Sequence, residues 1–232
     1  MARDDIREAR KDNIIESALQ VFAQKGYADA TMTDIAKKAG VSTPVLYEYF
    51  KTKEDLLFTI PEKFSEEPAR ILELGLPYFR GSEAKIRGIV QGYLTIYETN
   101  PLYASLVMLE LKTNRKFMKS RAYTTIQKVA RTLLESIQEG ISDGTFKENT
   151  DPFLIRSMIL GAIEHLCVRK LLIGDPKNLP MYTDPLVDTI LAGIKKQNQF
   201  FSVNLNMNRL EMPEPPAEDT PKGRKPGSRQ KT

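Results

Sequence analysis

Residues Thr31–Asp55 read TMTDIAKKAGVSTPVLYEYFKTKED, and this stretch decides the fold of the N-terminal part of the chain. Two short helical segments flank a tight turn, and a basic step then leads into a third helix. Ala36 is small enough for the two helices to approach closely, Gly40 suits a left-handed turn, and Leu46 faces the angle between them. This spacing predicts a helix-turn-helix, the arrangement that places a second helix in the major groove of DNA.

Both helix starts carry local capping signals. Thr31 precedes Asp34 by three residues, which predicts a shortened capping box at the start of the first helix of the pair. Ser42 is predicted to cap the second helix, about Thr43 to Phe50, with Pro44 in its first turn. Both boundaries of the motif are therefore predicted from adjacent residues.

The second helix divides its side chains between an inner stripe and an outer face. Val45, Leu46 and Phe50 recur at helical spacing, whereas Tyr47 and its outer neighbours are left for a groove to meet. Taken singly, the aromatic residues could be plain core and the lysines a solvated face, but the ordered set favours DNA contact. The predicted DNA-binding residues are Thr31, Thr33, Ser42, Thr43, Pro44, Tyr47, Tyr49, Lys51 and Lys53.

Residues 10–57 resemble the N-terminal domain of the TetR family of bacterial transcriptional regulators. The resemblance rests on Leu19–Phe22–Gly26–Tyr27, Thr31 and Thr33 before Asp34-Ile35-Ala36, Gly40-Val41-Ser42, the run Leu46–Phe50, and Lys51-x-Lys53-Glu54-x-Leu56. Many relatives carry glycine at the position of Pro44, and some a basic residue at that of Thr43. Pro44 has no amide hydrogen to donate to phosphate, so the base-reading chemistry of this helix stays open.

Composition narrows the class of protein. The net charge of +4 and pI of about 9.0 are compatible with nucleic-acid binding. Single residues Cys167 and His165 leave no disulfide and no metal cluster, so we predict no metal, no cofactor and a reducing cytoplasm. The most apolar stretch, Phe153–Ile173, contains too many charges to cross a bilayer, so no membrane association is predicted.

The spacing of apolar residues is helical throughout, which predicts an all-α fold. The expected domains are a helix-turn-helix domain at 1–52, a larger helical effector-binding and dimerisation domain at 53–205, and a disordered basic tail at 206–232. A connecting helix, Lys53–Ser65, is expected to kink or end at Pro61. The other predicted helices are Arg7–Lys25, Ala69–Leu74, Ser82–Thr99, Pro101–Lys112, Lys116–Ser142, Asp151–Ile173 and Asp184–Gln199.

The last two predicted helices have broad apolar faces and small residues that would allow close crossing. This pattern suits a two-fold interface of four helices, two from each copy, and the TetR resemblance also implies a homodimer. An intramolecular core is the alternative. The predicted interface residues are Ile155, Ile159, Ala162, Ile163, Leu166, Leu186, Ile190 and Ile194.

Aromatic and methionine side chains crowd the middle of the chain, as in a pocket for an apolar ligand, although each could be plain core. The predicted ligand-binding residues are Phe64, Tyr93, Tyr97, Met108, Leu111, Met118, Tyr123 and Met158. Gly161–Leu166 and Arg169–Leu172 resemble the corresponding region of TetR regulators that respond to acyl-CoA. That resemblance implies an acyl-CoA effector, with lysine or arginine near the pocket mouth binding its phosphates.

These features predict a dimeric repressor that binds a palindromic, double-stranded operator and is released by a small-molecule effector. An enzyme is not expected. The candidate catalytic base is His165, which lies beside Glu164 and two residues from Cys167, and side chains two residues apart on a helix point in different directions. The remaining alternative is a helical adaptor without DNA binding or effector response. It would explain the predicted helices but not the helix-turn-helix pattern of Thr31–Lys53.

Overall fold

The computed structural model describes residues 2–196, with the backbone alone for Ala2, Arg3 and Thr125. It confirms the all-α prediction: the described residues form helices joined by loops and contain no strand. The α-helices are α1 (Ala2–Asp29), α2 (Met32–Ala39), α3 (Thr43–Tyr49), α4 (Lys53–Gly75), α5 (Ser82–Thr99), α6 (Pro101–Ser105), α7 (Arg121–Ser142), α8 (Pro152–Ile173) and α9 (Thr183–Ile194). The predicted tail, 206–232, and residues 197–205 of the second domain lie outside the described residues.

The first three helices form the helix-turn-helix head. Ile14, Ala18 and Phe22 on α1 are buried, and so are Ile35 on α2 and Leu46 on α3. The helix α1 begins earlier than the predicted Arg7, and Gly26 interrupts its regular geometry with φ 76° and ψ 158°. Glycine adopts this backbone conformation without a steric penalty, so the predicted end of the first helix at Lys25 is followed directly by a real break.

The connecting helix α4 is longer than predicted. It continues through both Pro61 and Pro68 to Gly75, so the separate helix Ala69–Leu74 does not exist and the expected end near Ser65 was wrong. Leu57, Ile60 and Pro61 are buried on the side of α4 that packs along α1 and α7. Burial of this face outweighs the hydrogen bonds that the two prolines remove.

Two predicted helices have irregular starts or ends. Pro101–Lys112 is α-helical only to Ser105 and then becomes a π-helix, Leu106–Leu111. Its wider turns let Leu106, Val107, Met108 and Leu111 all be buried. A 3₁₀ turn, Phe117–Lys119, precedes α7, which begins after the cap Ser120 rather than at Lys116.

The helix α8 exposes a different face from the one predicted for the dimer. Its start is capped by Asp151, whose carboxylate accepts hydrogen bonds from the backbone N–H groups of Phe153 and Leu154. Five predicted interface residues are buried inside the chain, namely Ile155, Ile159, Ile163, Ile190 and Ile194. Ala162, Leu166 and Leu186 are half-buried. The predicted set therefore packs α8 and α9 onto their own chain.

The outer face of α8 is also apolar. Leu154 is 57% exposed and Met158 48% exposed, and Gly161 and His165 continue the same face. On α9 the exposed residues include Thr189, Ala192 and Gly193. Because α8 carries apolar side chains on both faces, periodicity alone selected the face that packs inside the chain.

Candidate DNA-facing surface and effector cavity

The start of α2 is held by the capping box that the sequence predicts. The Thr31 hydroxyl accepts a hydrogen bond from the backbone N–H of Asp34 at 3.1 Å, and the Asp34 carboxylate accepts one from the Thr31 N–H at 3.1 Å. The Lys25 ammonium lies 2.7 Å from the Asp34 carboxylate. Hydrogen bonds from Lys25 and then from Thr31 lower the pKa of Asp34 to about 2. The start of α2 is thus fixed by its own residues and by α1.

The turn between α2 and α3 sets the angle of the motif. Gly40 adopts the left-handed conformation with φ 68°, and the Val41 N–H donates to the Ala36 carbonyl at 3.0 Å. The Asn13 amide on α1 donates to the Ala39 carbonyl at 2.8 Å. Ser42 lies at the N-cap position of α3, but its side chain makes no capping hydrogen bond, contrary to the prediction. Its exposed hydroxyl is therefore available to a phosphate.

The outward face of the motif presents most of the predicted DNA-binding residues. Tyr47 is 43% exposed, and within the described residues Lys51 donates only to the Tyr47 carbonyl, at 3.2 Å. Lys37 and Lys38, which the sequence analysis missed, are exposed at the end of α2 and have no ion-pair partner within residues 2–196. Their position on the first helix of the motif, which crosses the DNA backbone, was the available signal. The exposed members of the predicted set are Thr31, Thr33, Ser42, Pro44, Tyr47 and Lys51, and Thr43 is half-buried.

Two predicted contacts are used inside the protein instead. Tyr49 is half-buried, with the Arg7 guanidinium 5.9 Å from its ring centre. Lys53 directs its ammonium at the end of α1, donating to the carbonyl of Tyr27 at 2.7 Å, of Ala28 at 3.1 Å and of Ala30 at 2.8 Å. The three donors of the ammonium are thereby occupied, so the phosphate contact predicted for Lys53 is replaced by an intramolecular one.

The Lys53 contacts form a junction between α1 and α4. Carbonyl groups at a helix C-terminus carry partial negative charge, which favours a cation at this point. Lys53 also lies 4.5 Å from the centre of the Tyr27 ring, and the Tyr27 N–H donates to the Glu110 carboxylate at 3.4 Å. The beginning of α4 is therefore attached to the helix-turn-helix head by named polar contacts.

Farther along, α4 forms one wall of a cavity that we call the inner compartment. It has an empty volume of about 520 Å³, part of which opens to solvent. The lining is apolar apart from three tyrosine hydroxyls and the hydroxyl of Ser65. The lining residues are Phe64, Ser65, Pro68, Ala69 and Leu72 of α4, Ile89, Gly92, Tyr93, Ile96 and Tyr97 of α5, Tyr103 of α6, and Ile126 and Val129 of α7.

A row of aromatic rings runs along this cavity. Phe64 stacks on Tyr103 with ring centres 5.4 Å apart, Tyr103 on Tyr97 at 6.4 Å, and Tyr93 lies 6.3 Å from Tyr97. The Tyr103 hydroxyl is within 2.6 Å of the Ser65 hydroxyl. Burial raises the pKa of Tyr103 to about 12, and burial also raises the pKa values of Tyr93 and Tyr97. All three phenols are therefore protonated at neutral pH.

A second cavity, the outer compartment, shares Tyr93, Tyr97 and Ile126 with the first. Its empty volume is about 850 Å³, including open solvent, and Lys112, Gln127 and Glu164 add polar groups to its wall. Lys112 and Glu164 form an ion pair with each other. Beyond this wall lies a surface pocket, here called the mouth, with Arg131, Arg156 and Ser157 among its lining residues.

Six of the eight predicted ligand-binding residues line these compartments. Phe64, Tyr93, Tyr97, Met108, Met118 and Tyr123 do so, whereas Leu111 is fully buried in the core and Met158 faces outward from α8. Ile89, Ile126 and Val129 are lining residues that the analysis missed. They carry no feature that separates a cavity wall from ordinary core, because both are apolar at helical spacing.

Residues 2–196 contain no cluster of His, Cys, Asp and Glu that could hold a metal ion. No helix among those residues is both long enough and apolar enough to cross a membrane.

A helix-turn-helix head attached through one helix to an α-helical domain with an internal cavity defines a class of DNA-binding regulators. Residues 14–60 match the family described as "Bacterial regulatory proteins, tetR family", and residues 78–193 match "YsiA-like protein, C-terminal region". The chain belongs to the TetR family of transcriptional regulators.

Known relatives extend over most of the chain. The "Fatty acid metabolism regulator protein" of Bacillus subtilis is 24% identical over 181 residues, which cover 78% of this chain and 93% of the relative. The crystal structure of the transcriptional regulator FadR from Bacillus subtilis in complex with stearoyl-CoA has a TM-score of 0.72, with 24% identity, 78% coverage of this chain and 98% of that one. The ketosteroid regulator KstR2 of Mycobacterium tuberculosis has a TM-score of 0.66, with 19% identity and coverages of 81% and 96%.

Proposed function

We propose that this protein is a dimeric repressor whose operator binding is released by a long-chain acyl-CoA. The observation that carries the proposal is the double role of α4. Its first residue, Lys53, holds the end of α1, and its later residues Phe64, Pro68 and Leu72 line the inner compartment. A ligand that changes the position of α4 therefore changes the position of the helix-turn-helix head.

The chemistry of the cavity supports a ligand that is apolar at one end and anionic at the other. The inner compartment suits a hydrocarbon chain, and the outer compartment adds the polar side chains of Gln127, Lys112 and Glu164. Arg131 and Arg156 at the mouth have no ion-pair partner within the described residues, and guanidinium groups bind phosphates well. The stearoyl-CoA bound by the structurally similar FadR gives independent support for this ligand class.

The surface around α3 supports binding to double-stranded DNA. The hydroxyls of Thr33, Ser42 and Tyr47 and the ammonium of Lys51 surround a short exposed helix face, and such groups donate to phosphate oxygens. In a dimer the two reading helices would enter successive major grooves, roughly 34–36 Å apart. A near-palindromic operator would match that symmetry.

We propose that the dimer forms through the outer faces of α8 and α9. Leu154 and Met158 are exposed apolar residues, and Gly161, Ala192 and Gly193 allow helices of a second copy to pack closely. A two-fold axis would bring two copies of each helix together in an isologous interface. This proposal replaces the inward-facing set that the sequence suggested.

The release mechanism follows from differential binding. An effector that fits the compartments better when α4 is displaced favours that conformer, and the affinity for the operator falls by the same coupling free energy. The contacts of Lys53 make the head follow α4 rather than pivot on it. Repression relieved by ligand is the expected outcome.

The test combines DNA binding with ligand binding. A gel shift with the DNA upstream of the protein's own gene should show a retarded complex, which stearoyl-CoA abolishes and free coenzyme A does not. Isothermal titration should show binding that strengthens with acyl-chain length. A protein that binds DNA but gives no heat with any acyl-CoA refutes the proposed effector, and one that does not bind DNA favours the helical adaptor.

A further inference from the structure

Two tyrosine side chains lie where the inner and outer compartments meet. Tyr93 and Tyr97 line both cavities, and they project from neighbouring turns of α5. Tyr97 is 7% exposed. These two residues therefore lie between an apolar cavity and one whose wall also carries the polar side chains of Lys112, Gln127 and Glu164.

Neither phenol has a hydrogen-bond partner among the side chains that the structure describes. Tyr103, the next ring in the row, differs in this respect, because its hydroxyl is paired with that of Ser65 at 2.6 Å. Buried polar side chains in proteins nearly always have a partner, and Tyr97 is a buried residue that lines both cavities. The unpaired hydroxyl of Tyr97 thus points to an acceptor that a ligand supplies.

The surrounding groups restrict what that acceptor can be. Lys112 and Glu164 neutralise each other at the wall of the outer compartment, so this pair presents no net charge to the phenols. Burial raises the pKa values of both phenols, which keeps them protonated and able to donate. A neutral oxygen acceptor is the ligand group that fits.

An acyl thioester carries one such oxygen at the required place. Its hydrocarbon chain ends at the carbonyl group, and the amide-containing pantetheine arm begins on the other side of the sulfur. The same order of chemistry runs from the inner compartment, past the two phenols, through the outer compartment with Gln127, to Arg131 and Arg156 at the mouth.

We propose that Tyr97, assisted by Tyr93, donates a hydrogen bond to the thioester carbonyl oxygen of the effector and so distinguishes acyl thioesters from other long-chain ligands. The acyl chain then occupies the inner compartment and the pantetheine arm the outer one. This inference rests on the proposed function, because it assigns a specificity contact within the same site.

The experiment compares palmitoyl-CoA with S-hexadecyl-CoA, a thioether of equal chain length that lacks the carbonyl oxygen. Isothermal titration of the full-length protein should show that the thioester binds about fivefold to tenfold more tightly, as expected for one buried hydrogen bond. Tyr97→Phe should lose most of this preference, with its affinity for the thioester falling towards that of the wild type for the thioether. Tyr103→Phe is the matched control and should keep the preference, since its hydroxyl is already paired.

The outcomes separate this inference from the proposed function. If the wild type binds both ligands equally, or if Tyr97→Phe and Tyr93→Phe both keep the full preference, the carbonyl contact is refuted while acyl-CoA binding stands. If neither ligand binds the wild type, both proposals fail. Circular dichroism of each variant checks the fold, and Tyr93→Phe provides a second measurement of the contact if Tyr97→Phe does not fold.

Discussion

Replacement of Lys53 by methionine separates two roles that the same side chain could have. The sequence predicts a phosphate contact, whereas the structure directs the ammonium at three carbonyl groups at the end of α1. Methionine retains most of the apolar stem and removes the donors. If the ammonium is an intramolecular contact, the variant should lose stability without losing a phosphate contact.

The expected loss of stability follows from the hydrogen bonds. One hydrogen bond to a charged group contributes roughly 1.5–3 kcal/mol. The three bonds share one half-buried side chain that water can partly replace, so we expect about 2–3 kcal/mol for the set rather than three times the single value. Urea unfolding followed by circular dichroism measures this difference in the free energy of unfolding.

The salt dependence of DNA binding measures the other role. Each phosphate contact contributes about 0.9 to the slope of log K against log salt, so a contact made by both copies of a dimer contributes roughly 1.8. Lys53→Met should leave the slope unchanged. The exposed Lys51 is the matched control, because Lys51→Met should reduce the slope by roughly 1.8 while changing stability by less than about 0.5 kcal/mol. The intramolecular role would be refuted if Lys53→Met unfolded at the wild-type urea midpoint and showed a reduced slope of log K for DNA binding against log salt.

Four other variants test separate parts of the molecule. Thr31→Ala removes the capping box of α2 and should lower the free energy of unfolding by about 1 kcal/mol in urea titrations. Asp34→Asn should lower the urea midpoint at neutral pH. The difference from the wild type should shrink as the pH falls from 3.8, the ordinary pKa of aspartate, to about 2, the pKa of Asp34 in the folded state, because the stabilising carboxylate is protonated over that range. A difference that stays constant with pH would argue against the Lys25 contact. Tyr47→Ala should weaken operator binding about tenfold in fluorescence anisotropy with helix content intact, and unchanged affinity would remove Tyr47 from the interface. Met158→Glu should convert the dimer to a monomer in light scattering, whereas Ile71→Glu, at a more exposed apolar site on α4, should not.

The helix-turn-helix was predictable because its signals are local. Thr31 and Asp34 form their capping box within four residues, and Gly40 needs only its own backbone to adopt φ 68°. The role of Lys53 was not predictable, because its partners lie more than 20 residues earlier in the chain. A lysine at the start of a helix has the same sequence signature whether its ammonium contacts a phosphate or a backbone carbonyl.

The second domain shows which information the sequence lacks. Pro61 reads as a helix breaker, and only the packing of its buried neighbours against other helices explains why α4 continues. The helix α8 is apolar on both faces, so periodicity could not tell Ile159, which faces the core, from Met158, which faces outward. Leu111 and Ile126 likewise look alike in sequence, although only Ile126 lines a cavity.

The most direct test of coupling through α4 is the distance between the two heads of the dimer. A spin label at Lys38→Cys in a Cys167→Ala background places one probe on each α2, and pulsed electron spin resonance measures their separation. We predict a narrow distribution for the DNA-bound dimer and a shifted or broader one when saturating stearoyl-CoA is added, with DNA released. An identical distribution with and without bound ligand would contradict the claim that the contents of the cavity set the position of the reading heads.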